Sequence, residues 1–528
     1  MSFRRLITAA FVLALAVSAA GQDGEGVRDY RLAKEALPWA PLSNPALMDA
    51  FQGRLAMVEL QFNTGFGGLA SLTESPACYS AGAATESYFR VGDRLTFYGL
   101  LNWQYFTGKD MGGPVLMDPY YNPVNFYESS TETVGTRNRE RYRLQGGLSY
   151  RLGRKWALGA NVSYTAADQT KVKDPRFSSV WMDLGVDAGV SWKPSETLTV
   201  GASLQYRNTL EMIKGGIYGT TDKQYFIQTD KGAFLGTVAE LAGDYNYIPV
   251  SEFRPMANQY FGGALQMVLK DRISAEAWFR TRDGYYGRQS SSTATFFEFG
   301  GWQAGLRSVL LLPSGSNLHR LSADFSLEKL ENRENQFRYV TPTGQSTVVE
   351  YTGQSKVLDR LDMAASLDYA WHMGTGGYRP EFILGLKLDG RSRNQSASIF
   401  PLSRSQRITT WSADLYGQKN FHAAQSLWTL ELHGLAAGGF GNYREDSNDS
   451  SAVSTAIKSF DTWLDRQAEY ETAFRTGGGI AVEYSLFQWK AAVPYIRISE
   501  SFLFLTSVPQ YLAGRWRNVA MISVGCHF

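Results

Sequence analysis

The chain has few of the features that hold a small secreted scaffold together or carry a protein across a membrane as helices. It contains two cysteines, Cys78 and Cys526, in 528 residues, which is too few for a disulfide-stapled scaffold. Beyond Ala20 no apolar run approaches the roughly 18 residues that a transmembrane helix requires. The formal net charge of +2 gives no reason to expect a nucleic-acid partner. These absences exclude helical membrane spanning and a disulfide framework.

Sequence signatures of catalysis and metal binding are missing as well. The five histidines do not occur at metal-ligand spacing, and the chain has no G-x-S-x-G, H-E-x-x-H or P-loop motif. We therefore expect no catalytic residue, no cofactor, no metal site and no enzymatic activity.

What the chain does have is a regular alternation of apolar and polar residues. Every second residue from 182 to 192 is apolar, and the pattern resumes from 198 to 206 after a turn at 193–196. The residues between them are Asp, Gly, Ser, Thr, Gln or Arg. Period-2 patterning on both sides of a tight turn is typical of a β-hairpin with two different faces. Similar pairs of segments recur along the chain.

The end of the chain indicates what the apolar faces contact. Its apolar face holds Ala520, Ile522, Val524, Cys526 and Phe528, and its other face holds Arg517, Ser523, Gly525 and His527. A strand of this kind that ends in an aromatic residue is typical of the closing strand of an outer-membrane β-barrel. Lipid contacts one face of such a strand, and water or polar side chains contact the other. We assign barrel closure to Val524, Gly525 and Phe528.

Counting the alternating segments predicts an all-β fold, namely a transmembrane antiparallel up-and-down β-barrel of about 18 strands, with about 16 as the alternative count. Short turns are expected on the periplasmic side and long loops on the extracellular side. The longest loops are predicted at 108–138, 211–257, 333–357 and 440–465. In the last of these, Val453, Ile457, Phe460 and Leu464 have the spacing of a short amphipathic helix, and an irregular loop fits equally well.

The start of the chain has the pattern of a secretory signal peptide. Arg4 and Arg5 precede an apolar run that ends at Ala20. This divides the chain into a signal peptide (1–21), an N-terminal segment (22–53) and the barrel (54–528). The segment 22–53 fits either the lumen or the periplasmic mouth. The expected location is the cell outer membrane, with membrane lipid and the barrel-assembly machinery as partners.

The same topology makes a prediction about the two cysteines. Cys78 is expected in an outer loop and Cys526 near the periplasmic rim. A strand height then separates them, which is beyond the reach of a disulfide. Both are therefore predicted to be free thiols.

The polar strand positions are expected to face the lumen, and many of them are charged. This lumen-facing set comprises Arg143, Asp183, Asp187, Arg207, Glu276, Arg280, Arg307, Asp324, Asp362, Asp368, Lys387, Glu431 and Glu483. It is either the lining of a selective channel or a network of ion pairs that fills the lumen, because buried charges need partners. Partial filling is favoured over a wide pore. The near balance of signs predicts no strong ion selectivity.

The loop at 108–138 carries a group of aromatic residues among polar ones: Tyr120, Tyr121, Phe126 and Tyr127. These side chains fit the grip of a ligand or partner protein. A lid packed on itself is the more common outcome for such a loop.

Short motifs give the chain a family resemblance. These are 44–47 (Asn-Pro-Ala-Leu), 118–121 (Asp-Pro-Tyr-Tyr), 140–142 (Glu-Arg-Tyr) leading into Gly146 and Gly147, and 174–176 (Asp-Pro-Arg). Together they resemble an uncharacterised Bacteroidota-type outer-membrane barrel family over most of the chain, most strongly from about 40 to 270. The resemblance implies genes encoded beside TonB-dependent receptors and a surface lipoprotein. It implies no catalytic or ligand-binding residue. His527 precedes Phe528 where the common outer-membrane insertion signal has an aromatic residue, so the chain departs from that signal.

Three functions compete at this point. The first is a non-enzymatic accessory role in nutrient or metal uptake, with a TonB-dependent receptor and a surface lipoprotein as partners. The second is a passive channel for small or apolar solutes, since the Asn-Pro-Ala stretch is similar to one in fatty-acid transport barrels. The third is a barrel-embedded hydrolase, which stays open because barrel phospholipases and proteases exist.

Overall fold

The computed structural model describes residues 27–128, 131–219, 222–241, 247–287, 293–447, 457–459, 461–487, 489 and 491–528. The predicted signal peptide lies outside these residues. None of the helices among them is long and apolar enough to cross a membrane.

Eighteen long strands form one antiparallel sheet that closes on itself, so the predicted fold class and strand number are confirmed. Each strand pairs with the next barrel strand along the chain, and the last pairs with the first through Leu60 and Val524. The barrel strands are β1 (Arg54–Phe66), β2 (Ala77–Val91), β3 (Leu95–Met111), β5 (Gly135–Arg151), β6 (Trp156–Lys171), β7 (Arg176–Ser195), β8 (Leu198–Gly216), β11 (Arg254–Leu269), β12 (Ile273–Gly287), β13 (Thr295–Ser314), β14 (Asn317–Val340), β15 (Val348–Met373), β16 (Phe382–Ile399), β17 (Leu402–Ala423), β18 (Ser426–Asp446), β20 (Arg475–Leu486), β21 (Val493–Leu505) and β22 (Trp516–His527).

The alternation in the sequence becomes two faces of one wall. Leu204 is 73% exposed and Leu265 is 69% exposed on the outward face, whereas the neighbouring Gln266 is 4% exposed on the inward face. Antiparallel partners share a face, so the register carries this assignment from strand to strand around the barrel. Apolar residues therefore cover the outside, and polar residues line the inside.

One end of the barrel has only short connections, together with the chain end and the start of β1. The turn between β11 and β12 shows why these connections are tight. Lys270 and Asp271 have φ values of 52° and 50°, and the Arg272 N–H donates to the Leu269 carbonyl oxygen at 3.0 Å. A two-residue turn with positive φ at both positions matches the twist of the strands that it joins.

The opposite end carries the long connections, but one predicted loop is wrong. The segment 333–357 is mostly strand, because β14 continues to Val340 and β15 begins at Val348. Arg338 and Glu350 pair across this hairpin at 2.8 Å. Polar cross-strand pairs extend the hairpin beyond the membrane, where no lipid contacts the strands and neither face has to be apolar. The connection between β16 and β17 at this end is only two residues long, 400–401, so long loops do not occur at every position.

The predicted helix in 440–465 is also displaced. Ile457 lies in a strand, β19 (Ile457–Ser459), whereas Leu464 is buried in helix α2 (Asp461–Thr472). Val453 and Phe460 lie outside the described residues. The helix begins later because Ile457 pairs with the edge of a small sheet instead.

That small sheet lies at the long-loop end. It consists of β4 (Asn125–Glu128), β9 (Phe226–Asp230), β10 (Leu235–Glu240) and β19. A single 3-10 turn (Thr131–Thr133) follows β4. Two further short elements precede the barrel, helix α1 (Tyr30–Glu35) and a 3-10 helix (Pro45–Ala50).

Both cysteines are free thiols, as predicted. Cys526 pairs with Val58 and Cys78 pairs with Gly65 on the same strand. Seven positions on β1 correspond to about 23 Å, far beyond a disulfide. Cys78 itself lies at the start of β2 and not in a loop, because the pairing of β1 with β2 already includes it.

Candidate functional site in the barrel lumen

The N-terminal segment 27–53 lies inside the barrel at the short-turn end, and we call it the N-terminal plug. Its apolar side chains pack on inward-facing wall residues, with Trp39 and Phe51 against Tyr88. Its 3-10 helix contacts β3, β5, β6, β7 and β8. The sequence left two locations possible for this segment, the lumen and the periplasmic mouth. In the structure the segment lies in the lumen.

Asn44 fixes the plug to the wall. Its Nδ2 donates to the carbonyl oxygens of Val190 and Ala202 at 3.0 and 3.2 Å, and to Gln266 Oε1 at 3.0 Å. Its Oδ1 accepts from the Ala46 N–H at 2.9 Å and so caps the 3-10 helix. One buried amide thus joins three strands to the plug.

Two glycines on the inner face make room for this contact. A Cβ atom at Gly159 would lie 2.3 Å from the Ala46 nitrogen, and one at Gly189 would lie 2.0 Å from Asn44 Oδ1. Both distances are shorter than any real contact, so the close approach of the plug requires glycine at these positions.

A buried charge cluster anchors the start of the plug. Arg379, from the turn between β15 and β16, donates through Nε to Asp29 Oδ2 at 2.7 Å and pairs with Glu483. His527 lies 3.7 Å from the same aspartate and hydrogen-bonds the Tyr378 hydroxyl at 2.6 Å. Burial raises the pKa of Asp29, but the charges of Arg379 and His527 and the hydrogen bonds from Leu32 and Arg379 together outweigh burial, so the pKa is lowered.

The other end of the lumen is closed by what we call the outer cap, which comprises the described residues of 112–134 (112–128 and 131–134), the small sheet and α2. The 112–134 segment folds inward, so that the Tyr121 hydroxyl lies 2.7 Å from the Tyr260 hydroxyl. Arg282 is 1% exposed and donates to the Tyr121 carbonyl oxygen at 2.9 Å and to Glu328 at 2.6 Å. This part of the cap therefore rests on inward-facing side chains of the wall.

A second buried ionic contact holds the small sheet over the mouth. Glu128 accepts from Arg137 at 3.0 Å and also pairs with Lys171. Trp463 of α2 donates to the Glu128 carbonyl oxygen at 2.9 Å, and its ring stacks on Tyr127. The cap is thus joined to β5 and β6 by charge and to α2 by an aromatic contact.

The predicted loop aromatics take part in this packing. Phe126 and Tyr127 are 0% and 1% exposed, and Phe126 packs on Tyr286 at 5.0 Å. Tyr120 receives the guanidinium of Arg393 over its ring at 4.9 Å. These four side chains form a packed lid, and Tyr120 and Tyr121 also line a cavity below it.

The pairing register shows where the lumen-facing set lies. All its members are on the inner face: Arg143, Asp183, Asp187, Arg207, Glu276, Arg280, Arg307, Asp324, Asp362, Asp368, Lys387, Glu431 and Glu483. Ten of them form ion pairs with other side chains. Asp187 and Arg280 bond instead to the neutral amides of Asn161 and Gln303. Arg143 has no hydrogen bond or ion pair with the residues that the structure describes.

The closing-strand residues have distinct positions. Val524 is 52% exposed on the outward face, and the Phe528 N–H donates to the Ala56 carbonyl oxygen at 2.9 Å. Gly525 faces inward, where a Cβ would lie 2.4 Å from the ring of Tyr495. The glycine at this position therefore leaves room for an inward aromatic ring.

Two cavities lie on the inner face of the wall. One of about 470 Å3 lies beneath the outer cap and is lined by Met117, Asp118, Tyr120, Tyr121, Arg139, Arg141, Trp181, Asp183 and Arg207, among others. Another of about 360 Å3 lies on the wall from β14 to β20 and is lined by Asp324, Asp389, Arg391, Ser412 and Arg475, among others. A third cavity, about 920 Å3, is a groove on the outward face, lined mostly by apolar side chains such as Leu265 and Leu306.

Sequence reasoning missed the residues that fix the plug: Asp29, Asn44, Arg379 and His527. Two signals were present, the Asn-Pro-Ala motif and the unusual penultimate histidine. No group of three or more His, Cys, Asp or Glu side chains is placed to hold a metal ion within the described part of the chain.

Solved structures match the chain in fold at low identity. The FrpB iron transporter from Neisseria meningitidis is 9% identical over 92% of this chain and 84% of its own, with a TM-score of 0.40. A FadL homologue from Pseudomonas aeruginosa is 11% identical over 96% and 99%, with a TM-score of 0.34. BauA, the ferric preacinetobactin receptor from Acinetobacter baumannii, is 11% identical over 91% and 80%, with a TM-score of 0.37. At these values the likeness carries no argument about a ligand of this chain.

The sequence comparison is more specific. No curated protein sequence matches the chain. The profile of a family does match, over residues 45–528, and this stretch contains the 3-10 helix of the plug and all eighteen barrel strands. The plugged barrel described above therefore belongs to the family of unknown function DUF6850.

Proposed function

We propose that the protein is a transport barrel of the outer membrane, which admits a small polar solute into its lumen and is held closed in this conformation by the N-terminal plug. The observation that carries this proposal is the polar lumen between plug and cap, with cavities of about 470 and 360 Å3 on the inner wall. Cavities of roughly 300–1,000 Å3 are typical of small-molecule sites.

The lining of these cavities favours a polar solute over an apolar one. Arginine, aspartate and threonine side chains line both cavities, together with serine in the smaller one and tyrosine in the larger one. The groove lined mostly by apolar residues lies on the outward face, where lipid contacts it. An apolar solute would leave these inward charges without hydration, which is costly.

Space inside the lumen supports transport over a purely structural filling. Arg141 and Arg143 face inward and are nevertheless exposed. A core packed for stability alone would bury or pair such groups. The plug is held by non-covalent contacts, namely apolar packing, hydrogen bonds and ion pairs, which a solute or partner can displace.

The accessory role beside a TonB-dependent receptor and a surface lipoprotein stays a prediction that rests on the Bacteroidota-type resemblance. Co-purification from outer membranes tests it directly. Recovery of the barrel with neither partner, under conditions that preserve known complexes, counts against it.

The transport proposal is tested by solute entry into proteoliposomes. Native protein and the Arg379→Gln variant are reconstituted, and osmotic swelling in arabinose is measured. Arg379→Gln removes the buried guanidinium that holds Asp29, so it should permit faster swelling than the native chain, which itself should exceed protein-free vesicles.

Arg338→Gln is the matched control because Arg338 is 66% exposed at a hairpin tip and, among the described residues, forms an ion pair with Glu350 alone. It should swell like the native protein. Heat-dependent migration on gels verifies that each barrel is folded. Absence of swelling in both the native and the Arg379→Gln protein would overturn the proposal.

A further inference from the structure

The inner face of β5 carries a row of four arginines. Arg137, Arg139, Arg141 and Arg143 occupy successive inward positions of the strand. Alternate residues are about 7 Å apart, so the row descends about 20 Å from the outer cap toward the middle of the lumen.

The partners of these arginines change along the row. Arg137 is buried and donates hydrogen bonds to the Glu128 carboxylate and to the Pro114 carbonyl oxygen. Arg139 donates through Nε and Nη2 to the neutral amide of Gln169, at 3.1 and 2.6 Å. Arg141 and Arg143 have neither a hydrogen bond nor an ion pair with any described residue, and both are exposed inside the lumen. Two guanidinium groups therefore face the open part of the lumen without an ion-pair partner among the described residues.

The carboxylates near the row accept hydrogen bonds from groups other than Arg141 and Arg143. Glu211 accepts from the Met117 N–H at 2.8 Å and from the Ser179 hydroxyl at 2.5 Å. Asp183 accepts both hydrogen bonds of a fork from Arg207, at 2.9 and 2.8 Å. Asp118 accepts from the Tyr120 N–H at 3.0 Å. Asp187, lower on the wall, accepts from the Asn161 amide at 3.0 Å. In the cavity beneath the cap, three arginines stand against two aspartates.

The opposite wall is different. The cavity of about 360 Å3 is lined by Asp324 and Asp389 against Arg391 and Arg475, so its charges balance. The sequence predicts that positive and negative side chains are nearly balanced over the whole lumen. Along β5, however, positive charge is locally in excess.

We propose that this row selects oxyanions, so that the transported solute is a small organic molecule bearing a carboxylate or phosphate group. The inference rests on the proposed transport function and adds the substrate class. A guanidinium group matches carboxylate and phosphate oxygens with a two-pronged fork. Charges of one sign in a cleft with low-dielectric walls concentrate the opposite ion by about tenfold or more.

The test compares three solutes of the same size and different charge. Radiolabelled gluconate, glucose and glucosamine enter proteoliposomes containing the native protein, or the Arg379→Gln variant where native entry is slow. Gluconate should enter about tenfold faster than glucosamine, with glucose between them, and unlabelled inorganic phosphate should slow gluconate entry.

Substitutions of Arg141 and Arg143 test whether the arginine row causes the selectivity. In Arg141→Gln/Arg143→Gln the gluconate-to-glucosamine ratio should fall toward one, and Arg141→Glu should reverse it. Arg338→Gln, outside the lumen, should leave the ratio unchanged. Both arginines are exposed, so these changes leave the fold intact, which gel migration verifies.

Two outcomes overturn the inference separately from the transport function. Equal entry of the three solutes in the native protein refutes oxyanion selection while transport stands. A preference for gluconate that survives Arg141→Gln/Arg143→Gln refutes the role of this row. Entry of none of the solutes, even with Arg379→Gln, refutes transport itself.

Discussion

The substitution Asn44→Asp exchanges one amide nitrogen for an oxygen and should unseat the N-terminal plug while leaving the wall intact. The Asn44 amide donates to three oxygens, at 3.0, 3.2 and 3.0 Å. An aspartate has no hydrogen to donate and turns a carboxylate toward these acceptors. A buried acceptor left without its donor costs about 1–3 kcal/mol. Since the amide has two hydrogens, the plug should lose about 2–6 kcal/mol of seating free energy.

Such a loss is large on the scale of a local equilibrium. Because about 1.4 kcal/mol is a factor of ten, the unseated fraction should rise at least about twentyfold. Limited proteolysis from the short-turn side of reconstituted protein measures it, with mass spectrometry of fragments from 27–53. Planar-bilayer conductance should rise in parallel.

Asn63→Asp is the matched control. Asn63 also faces the lumen, but it donates to the Ser80 hydroxyl at 3.1 Å, and this hydroxyl can reverse its role and donate to a carboxylate. The control should protect 27–53 as the native protein does. Native protection in Asn44→Asp, in a barrel that still migrates as folded, would refute the reasoning that these three bonds hold the plug.

Three further predictions concern the wall and the cap. Leu204→Arg puts a cation on the lipid face at a cost of about 2–4 kcal/mol and should impair assembly of the barrel. Gln205→Arg, on the inner face, should assemble normally. Heat-dependent gel migration measures assembly, and equal assembly of the two variants would contradict the assigned faces. Glu128→Gln leaves two buried cations without their carboxylate and should weaken the cap by about 3 kcal/mol, seen as faster hydrogen exchange in 112–134; unchanged exchange contradicts it. Burial raises the pKa of Asp230 to about 7, and an unfolded aspartate titrates near about 3.9, so the small sheet should lose stability as pH rises from about 4 to about 7. Hydrogen exchange corrected for its intrinsic rate measures this loss, and Asp230→Asn should abolish it.

The faces of the barrel strands could be predicted from the sequence because each face follows from the alternation of neighbouring apolar and polar residues. Alternation at Leu204 and Gln205, or at Val524 and Gly525, depends only on which side meets lipid. The same logic misjudged 333–357. There the strands leave the membrane and pair through charges such as Arg338 and Glu350, so no apolar face marks them.

The plug could not be predicted in the same way. The contact between Asp29 and Arg379 joins residues 350 positions apart, and nothing local in either segment indicates the other. His527 looked like a defect in an insertion signal. In the structure it is 1% exposed, between Tyr378 and Asp29, so its polarity serves the anchor of the plug.

The row on β5 was visible in the sequence, but its significance was not. The sequence places Arg143 in a lumen-facing set of five basic and eight acidic residues, and this rough balance of signs predicts no strong ion selectivity. Only the contacts show that Asp183 is used by Arg207, whereas Arg141 and Arg143 are not paired with any residue the structure describes.

The barrel presents an apolar outer face to lipid and a polar inner face to the lumen. A spin-label scan of β22 tests this most directly, with labels at Met521, Ile522, Ser523 and Val524 in a chain whose native cysteines are replaced by serine. Oxygen dissolved in the lipid should relax labels at 522 and 524 and not those at 521 and 523. In reconstituted bilayers, equal oxygen access at all four positions, or no oxygen access at any of them, would contradict the account.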